Sequence, residues 1–281
     1  MIRAHDLGVR GEREIAAAAR ALGLDGVQLV VYKAVDDVKY EQGSITKERA
    51  EKIACALSEG GVGVALIGAY FNPVHPNREK AERGIRIFEE YLSMCSSLGC
   101  DTVGSETGSY MGDPWGYHPG NLTDEAFDRV VEVFSGLAEV AEGYGANIAV
   151  EGAYNHVCST PKRLAECVAR IGRENVRVIF DLYNYLNIEN HGRAYEILDE
   201  GLELFGEKIT LFHIKDYTVD GDRLSQCGVG KGILDYKRII AKIFRHNPNA
   251  TLVLEGTVGE DIAYSVRHLG KIISETENTL A

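Results

Sequence analysis

No stretch of this 281-residue chain approaches the roughly 18 consecutive apolar residues that a bilayer-spanning helix needs. Its opening, MIRAHDLGVRGE, holds no apolar core of a secretory signal, so the cytoplasm is the expected compartment and no membrane is an expected partner. Cationic excess is missing as well. Thirty Lys and Arg stand against 42 Asp and Glu, a net charge of −12 that repels phosphate backbones and disfavours nucleic acid as a partner. CxxC pairs are absent among the six cysteines, Cys55, Cys95, Cys100, Cys158, Cys167 and Cys227. That argues against a zinc ribbon or a dithiol site, and most of the six are expected as small buried residues. Low-complexity linkers and breaks in composition are also lacking, so residues 1–281 are expected to form one domain.

What is present is a repeating unit. Short, almost continuously apolar runs recur, each followed by a helical pattern. IRAHDL precedes a helix over 11–22, GVQLVVY (26–32) one over 46–59, and GVALIGAY (63–70) one over 77–98. CDTVGSE (100–106) precedes 123–144, NIAVEGA (147–153) precedes 160–171, and VRVIFDL (176–182) precedes 192–205. ITLFHIKDY (209–217) precedes 234–246, and TLVLEGT (251–257) precedes 259–274. Parallel strands covered on both faces read in this way. The helices show stripes at three- and four-residue spacing, such as Ile85, Phe88, Tyr91, Leu92 and Cys95, and Thr46, Thr123 and Thr160 stand at expected helix starts. Eight such units predict a single (β/α)8 barrel. A doubly wound open sheet would carry a glycine-rich phosphate turn after its first strand, and Asp6-Leu7-Gly8-Val9-Arg10-Gly11 is a poor match.

Barrel chemistry takes place at the carboxyl ends of the strands. Strands five to eight end there in Glu151, Asp181, His213 and Glu255, within NIAVEG, VRVIFDL, ITLFHIKD and TLVLEG. Buried carboxylates cost several kcal/mol each unless compensated, so three of them with one imidazole predict a divalent cation. The mainly oxygen donor set suits Mn²⁺ first, with Mg²⁺, Co²⁺ or Zn²⁺ also accommodated. In the competing reading the four are ion-pair partners, neutralised by Lys215 and Arg177. Lys215 lies two residues beyond His213, so alternation points both to one face, towards either a substrate oxyanion or a salt bridge. Glu106 and Asp6 end the fourth and first strands and are expected to reach substrate hydroxyls, with Gln28 a further candidate. His5 is expected to point away from Asp6. The longest loop, GSYMGDPWGYHPGNLT (108–123), carries Trp115, which either stacks on a sugar face or pins the loop. Residues 70–76 are expected to form a second wall.

The strand-5 Glu, strand-6 Asp, strand-7 His and strand-8 Glu resemble the metal set of the sugar phosphate isomerase/epimerase family, within the xylose isomerase-like superfamily. Three further pieces carry the resemblance: Glu151 followed by His156-x-x-x-Thr160, the HIKD run ending at Asp216, and GVGKGILDY (228–236). It implies a divalent-metal-dependent isomerase or epimerase of a small keto sugar or polyol. Proton abstraction through a metal-stabilised ene-diolate would then use Glu151 and Glu255 as the catalytic pair. It also implies a substrate-binding role for His156. Many members have a histidine at the position of Asn184, and ketose 3-epimerases have an extra loop Glu where this chain has Gly152-Ala153-Tyr154-Asn155. A dehydratase of a ring polyol and a non-catalytic sugar-binding barrel are the alternatives. An endonuclease-like phosphodiesterase is disfavoured by the acidic balance. The family commonly forms homo-oligomers.

Overall fold

In the computed structural model, which describes residues 1–280, eight parallel strands close into a barrel. The chain order is β1 (Ile2–Arg3), α1 (Glu12–Ala21), β2 (Gly26–Leu29), α2 (Val31–Ala34), α3 (Lys47–Glu59), β3 (Gly63–Gly68) and α4 (Arg78–Leu98). There follow β4 (Thr102–Glu106), α5 (Asp124–Gly143), β5 (Asn147–Glu151), α6 (Pro161–Ile171), β6 (Val176–Asp181) and α7 (Ala194–Phe205). The last elements are β7 (Ile209–Ile214), β8 (Asp216–Asp220), β9 (Arg223–Cys227), α8 (Tyr236–His246), β10 (Leu252–Leu254) and α9 (Asp261–Leu280). Around the barrel the order is β1-β10-β7-β6-β5-β4-β3-β2, so the expected (β/α)8 architecture is present. The expected caps form: Thr46, Thr123 and Thr160 accept from the backbone N–H groups of Arg49, Ala126 and Arg163.

Alternation explains how nearly continuous apolar runs deliver polar side chains to one place. Ala149, Ile179, Leu211 and Val253 pack together with Leu66 inside the barrel. Each of the first four lies two residues before Glu151, Asp181, His213 or Glu255, so each pair points the same way. The apolar layer is thus the floor of the polar one. Gly104 completes that floor, because a Cβ there would press on Ile179 and Leu66. The intervening residues, such as Val150, Phe180 and Phe212, face outward into the larger core beneath the helices.

Three local expectations are corrected. IRAHDL is a strand only at Ile2–Arg3, after which Ala4–Leu7 make a 3₁₀ turn, so alternation cannot place His5 opposite Asp6; the two side chains lie 3.8 Å apart. The second strand stops at Leu29 and turns into α2, where extension to residue 32 was expected. The seventh strand stops at Ile214, where extension to residue 217 was expected, and Asp216–Cys227 form an antiparallel hairpin. Asp216 explains GVGKGILDY. Its buried carboxylate accepts from the backbone N–H groups of Tyr217, Gly230, Gly232 and Leu234, and a Cβ at Gly232 would overlap it.

Candidate metal centre

Neighbouring strands set the geometry. Asp181 stands in register with His213, His213 with Val253, and Glu255 follows β10 by one residue, its N–H donating to the Ile214 carbonyl at 3.3 Å. Glu151, Asp181, His213 and Glu255 thereby each offer a ligand atom within 4.8 Å of the others. His213 turns Nδ1 towards all three carboxylates, 3.1 Å from Glu151 Oε1, 3.6 Å from Asp181 Oδ2 and 2.7 Å from Glu255 Oε2. Its Nε2 lies 2.6 Å from Gln28 Oε1, and the Gln28 amide donates to the Tyr70 hydroxyl at 2.6 Å. Gln28 therefore holds the imidazole so that Nδ1 is the nitrogen available to a cation.

Three cations balance the three acids. Lys215 Nζ lies 2.8 Å from Asp181 Oδ2 and 2.9 Å from Glu255 Oε1, and donates to Asn184 Oδ1 at 3.0 Å. Arg3 Nη1 donates to Glu255 Oε1 at 2.6 Å, while its Nε and Nη2 bind Asp6. The third is His213: burial opposes its charge, but Glu255 and Glu151 hold it well above the usual histidine range. Burial would raise Glu255 too, yet His213, Lys215 and Arg3 keep it well below the usual carboxylate range. Burial pushes Glu151 up against the pull of His213. Glu106, opposite Glu151 in register, is pushed up to about 8 by burial and by the Glu151 and Glu255 charges.

The donor set fits a divalent cation. Its four members are oxygen and imidazole donors, and Asp181 Oδ2 and Glu255 Oε2 are buried with no partner besides the Lys215 and His213 charges, contacts that a cation between the four would replace. Asn184 is part of the same cluster: its side-chain N–H donates to Glu151 Oε1 at 2.8 Å and its backbone N–H to Asp181 Oδ1 at 3.1 Å.

Other expected residues fall at different distances from the centre. Asp6 is buried and spent on Arg3 and on the Gly256 N–H, 2.7 Å away, so it braces the seam of the barrel. His156 is buried under Trp115, ring centroids 5.5 Å apart, and burial lowers its imidazole to about 4. Among the described residues, neither of those two rings hydrogen-bonds to the four-residue cluster. Arg177 sits at the far end of β6, donating to the Glu174 carbonyl, and supplies no charge here. Cys158 is buried with its thiol raised well above the ordinary value, and burial pushes Cys227 up to about 11. The contribution of Arg3 was missed because a two-residue strand leaves no periodicity to read; the signal was an Arg one residue into an apolar opening.

A family model described as xylose isomerase-like TIM barrel matches residues 16–272. D-psicose 3-epimerase of Agrobacterium fabrum is 27% identical over 190 residues, 64% of this chain and 60% of the relative. Inosose isomerase of Bacillus velezensis is 28% identical over 167 residues, 55% of this chain and 54% of the relative. The chain thus spans less than two thirds of the length of either relative. A solved xylose isomerase-like TIM barrel protein from Mycobacterium smegmatis, in complex with magnesium, superposes with a TM-score of 0.71 at 15% identity, over 94% of this chain and 88% of that one. The match over 16–272, on a closed eight-stranded barrel with the four candidate ligands in strand order, means that this chain belongs to the xylose isomerase-like TIM barrel family.

Proposed function

We propose that the chain is a divalent-metal-dependent isomerase or epimerase of a small keto sugar or polyol. The observation that carries this reading is the convergence of Glu151, Asp181, His213 and Glu255 on one point at the C-terminal mouth of the barrel. The relatives named for a ketose epimerase and an inosose isomerase support a polyhydroxylated carbonyl compound as substrate. Mn²⁺ is the cation we expect the four residues to hold, from their hard and borderline donors. A cation there supplies Lewis-acid polarisation of a substrate carbonyl, which acidifies the adjacent C–H bond.

Glu151 and Glu255 occupy the two ends of the four-strand arc, with His213 between them. Glu151, whose carboxyl burial pushes up, is the stronger base, and we assign it the proton on the carbon beside the carbonyl. Return of the proton held by Glu151 to the neighbouring carbon isomerises; inversion needs a proton on the opposite face, which the ionised Glu255 passes on only after taking one from solvent. Asn184 holds the Glu151 carboxylate in place and, through Lys215, ties it to Asp181.

Elemental analysis after Mn²⁺ loading and desalting is expected to find about one metal per chain, lost in His213→Ala. In D₂O, ketoses should then acquire solvent deuterium at the carbon next to the carbonyl, and Glu151→Gln should slow this by at least about 10²-fold. Absence of metal in the wild type would return the four residues to the ion-pair reading. Metal without exchange on any ketose or inosose would leave a sugar-binding barrel, and exchange accompanied by loss of water would mark a dehydratase.

A further inference from the structure

The loops at the barrel mouth enclose a cavity of about 560 Å³. Its walls include Tyr117, Tyr154, Tyr183, Ile188 and Leu224, from the loops that follow β4, β5 and β6 and from the β8–β9 hairpin. Tyr183, one of its walls, stands two residues after Asp181. That ring lies 5.7 Å from Lys215 Nζ, and its hydroxyl donates to the Leu224 carbonyl at 3.4 Å. Tyr154, three residues after Glu151, is fixed by its N–H to the Asn184 carbonyl at 2.7 Å. The walls therefore belong to the same loops that carry Glu151, Asp181 and Asn184.

The chemistry of this cavity differs from that of the centre. Tyr117 and Tyr154 are 60% and 43% exposed, more than aromatic rings that serve packing alone need to be. Flat faces with a polar tip suit the alternating C–H and hydroxyl faces of a pyranose ring. Asn187, Glu189, Asp222 and Arg223 line the remainder and offer donors and acceptors to hydroxyls. Two acids against one arginine disfavour a phosphate. The volume lies within the range of about 300–1,000 Å³ typical of small-ligand sites.

We propose that this cavity is a second sugar subsite, so that the compound acted on beside Glu151 is an uncharged glycoside whose outer ring rests on Tyr117, Tyr154 and Tyr183. The substrate class rests on the isomerase or epimerase reading, whereas the subsite itself is testable by binding alone. Calorimetric titration of the Mg²⁺-loaded protein with cellobiose, maltose, methyl glucoside and glucose 6-phosphate is the experiment. At least one disaccharide is expected to bind about tenfold tighter than methyl glucoside, and glucose 6-phosphate no tighter than methyl glucoside. Tyr117→Ala and Tyr154→Ala alter exposed rings and should fold. Each is expected to shrink the preference for the disaccharide over methyl glucoside by about an order of magnitude. A tighter glucose 6-phosphate, an unchanged preference in both variants, or binding of no probe overturns the proposal. If the disaccharide preference holds but no ketose exchanges deuterium, the subsite stands and the enzymatic reading falls. If ketoses exchange without that preference, the reverse applies.

Discussion

His213 reaches three carboxylates through Nδ1 only because Gln28 engages Nε2, and Gln28 in turn donates to Tyr70. A free imidazole can offer either nitrogen, so the glutamine selects the useful tautomer. Gln28→Leu is expected to lower Mn²⁺ affinity by about 10–100-fold, measured by electron paramagnetic resonance titration, and, because it leaves the buried His213 Nε2–H and Tyr70 hydroxyl without their partner, to lower the melting temperature of the metal-free protein as well. An unaltered affinity would show that the four ligands orient themselves. Legibility differed sharply at this scale. Glu151, Asp181, His213 and Glu255 each interrupt an apolar run at its end, where a polar residue has no packing reason to be. Gln28 sits mid-run in GVQLVVY and was read as a substrate contact, because its partner lies 185 residues away. Lys215 was placed on the correct face by alternation, but whether it meets a substrate or Asp181 depended on distances that a sequence does not carry.

The hairpin Asp216–Cys227 and the turn that follows it form one structural element at the mouth, and Asp216 is its anchor. Its carboxylate accepts four backbone N–H groups in a buried position. Asp216→Ala leaves those groups without their acceptor and is expected to cost at least about 3 kcal/mol. Chemical denaturation would measure this, and limited proteolysis should then cut within 228–234; wild-type stability and resistance would refute the anchoring role. The helices and strands that packing dictates were visible as periodicity. The hairpin was not, because its burial is one-sided and VDGDRLSQ reads as a polar loop. Gly221-Asp222, between the paired Asp220 and Arg223 and with Gly221 at φ +60, was the signal available: a two-residue turn led by glycine. The short first strand failed for the opposite reason, since two residues are too few for any period.

For the molecule as a whole, a cation that binds the folded chain and not the unfolded one raises its stability by mass action. At about 100 times the dissociation constant this amounts to roughly 2.7 kcal/mol. For a barrel of this size that is roughly a 5 °C rise in Tm with Mn²⁺, reversed by a chelator and absent in His213→Ala. A Tm indifferent to Mn²⁺ would count against the centre. The ion pairs among Arg3, Lys215, His213 and the acids also let the chain fold without that cation. The seam of the barrel carries one more consequence. β1 pairs with β10, and the Arg3–Glu255 bond joins residues 252 positions apart. In synthesis β1 comes first, and by the time His213 is added three of the four candidate ligands have been made. The fourth arrives only with the strand that closes the ring. A chain truncated before Glu255 therefore lacks one of the four candidate donors, so tight Mn²⁺ binding, if found, would report that the ring has closed.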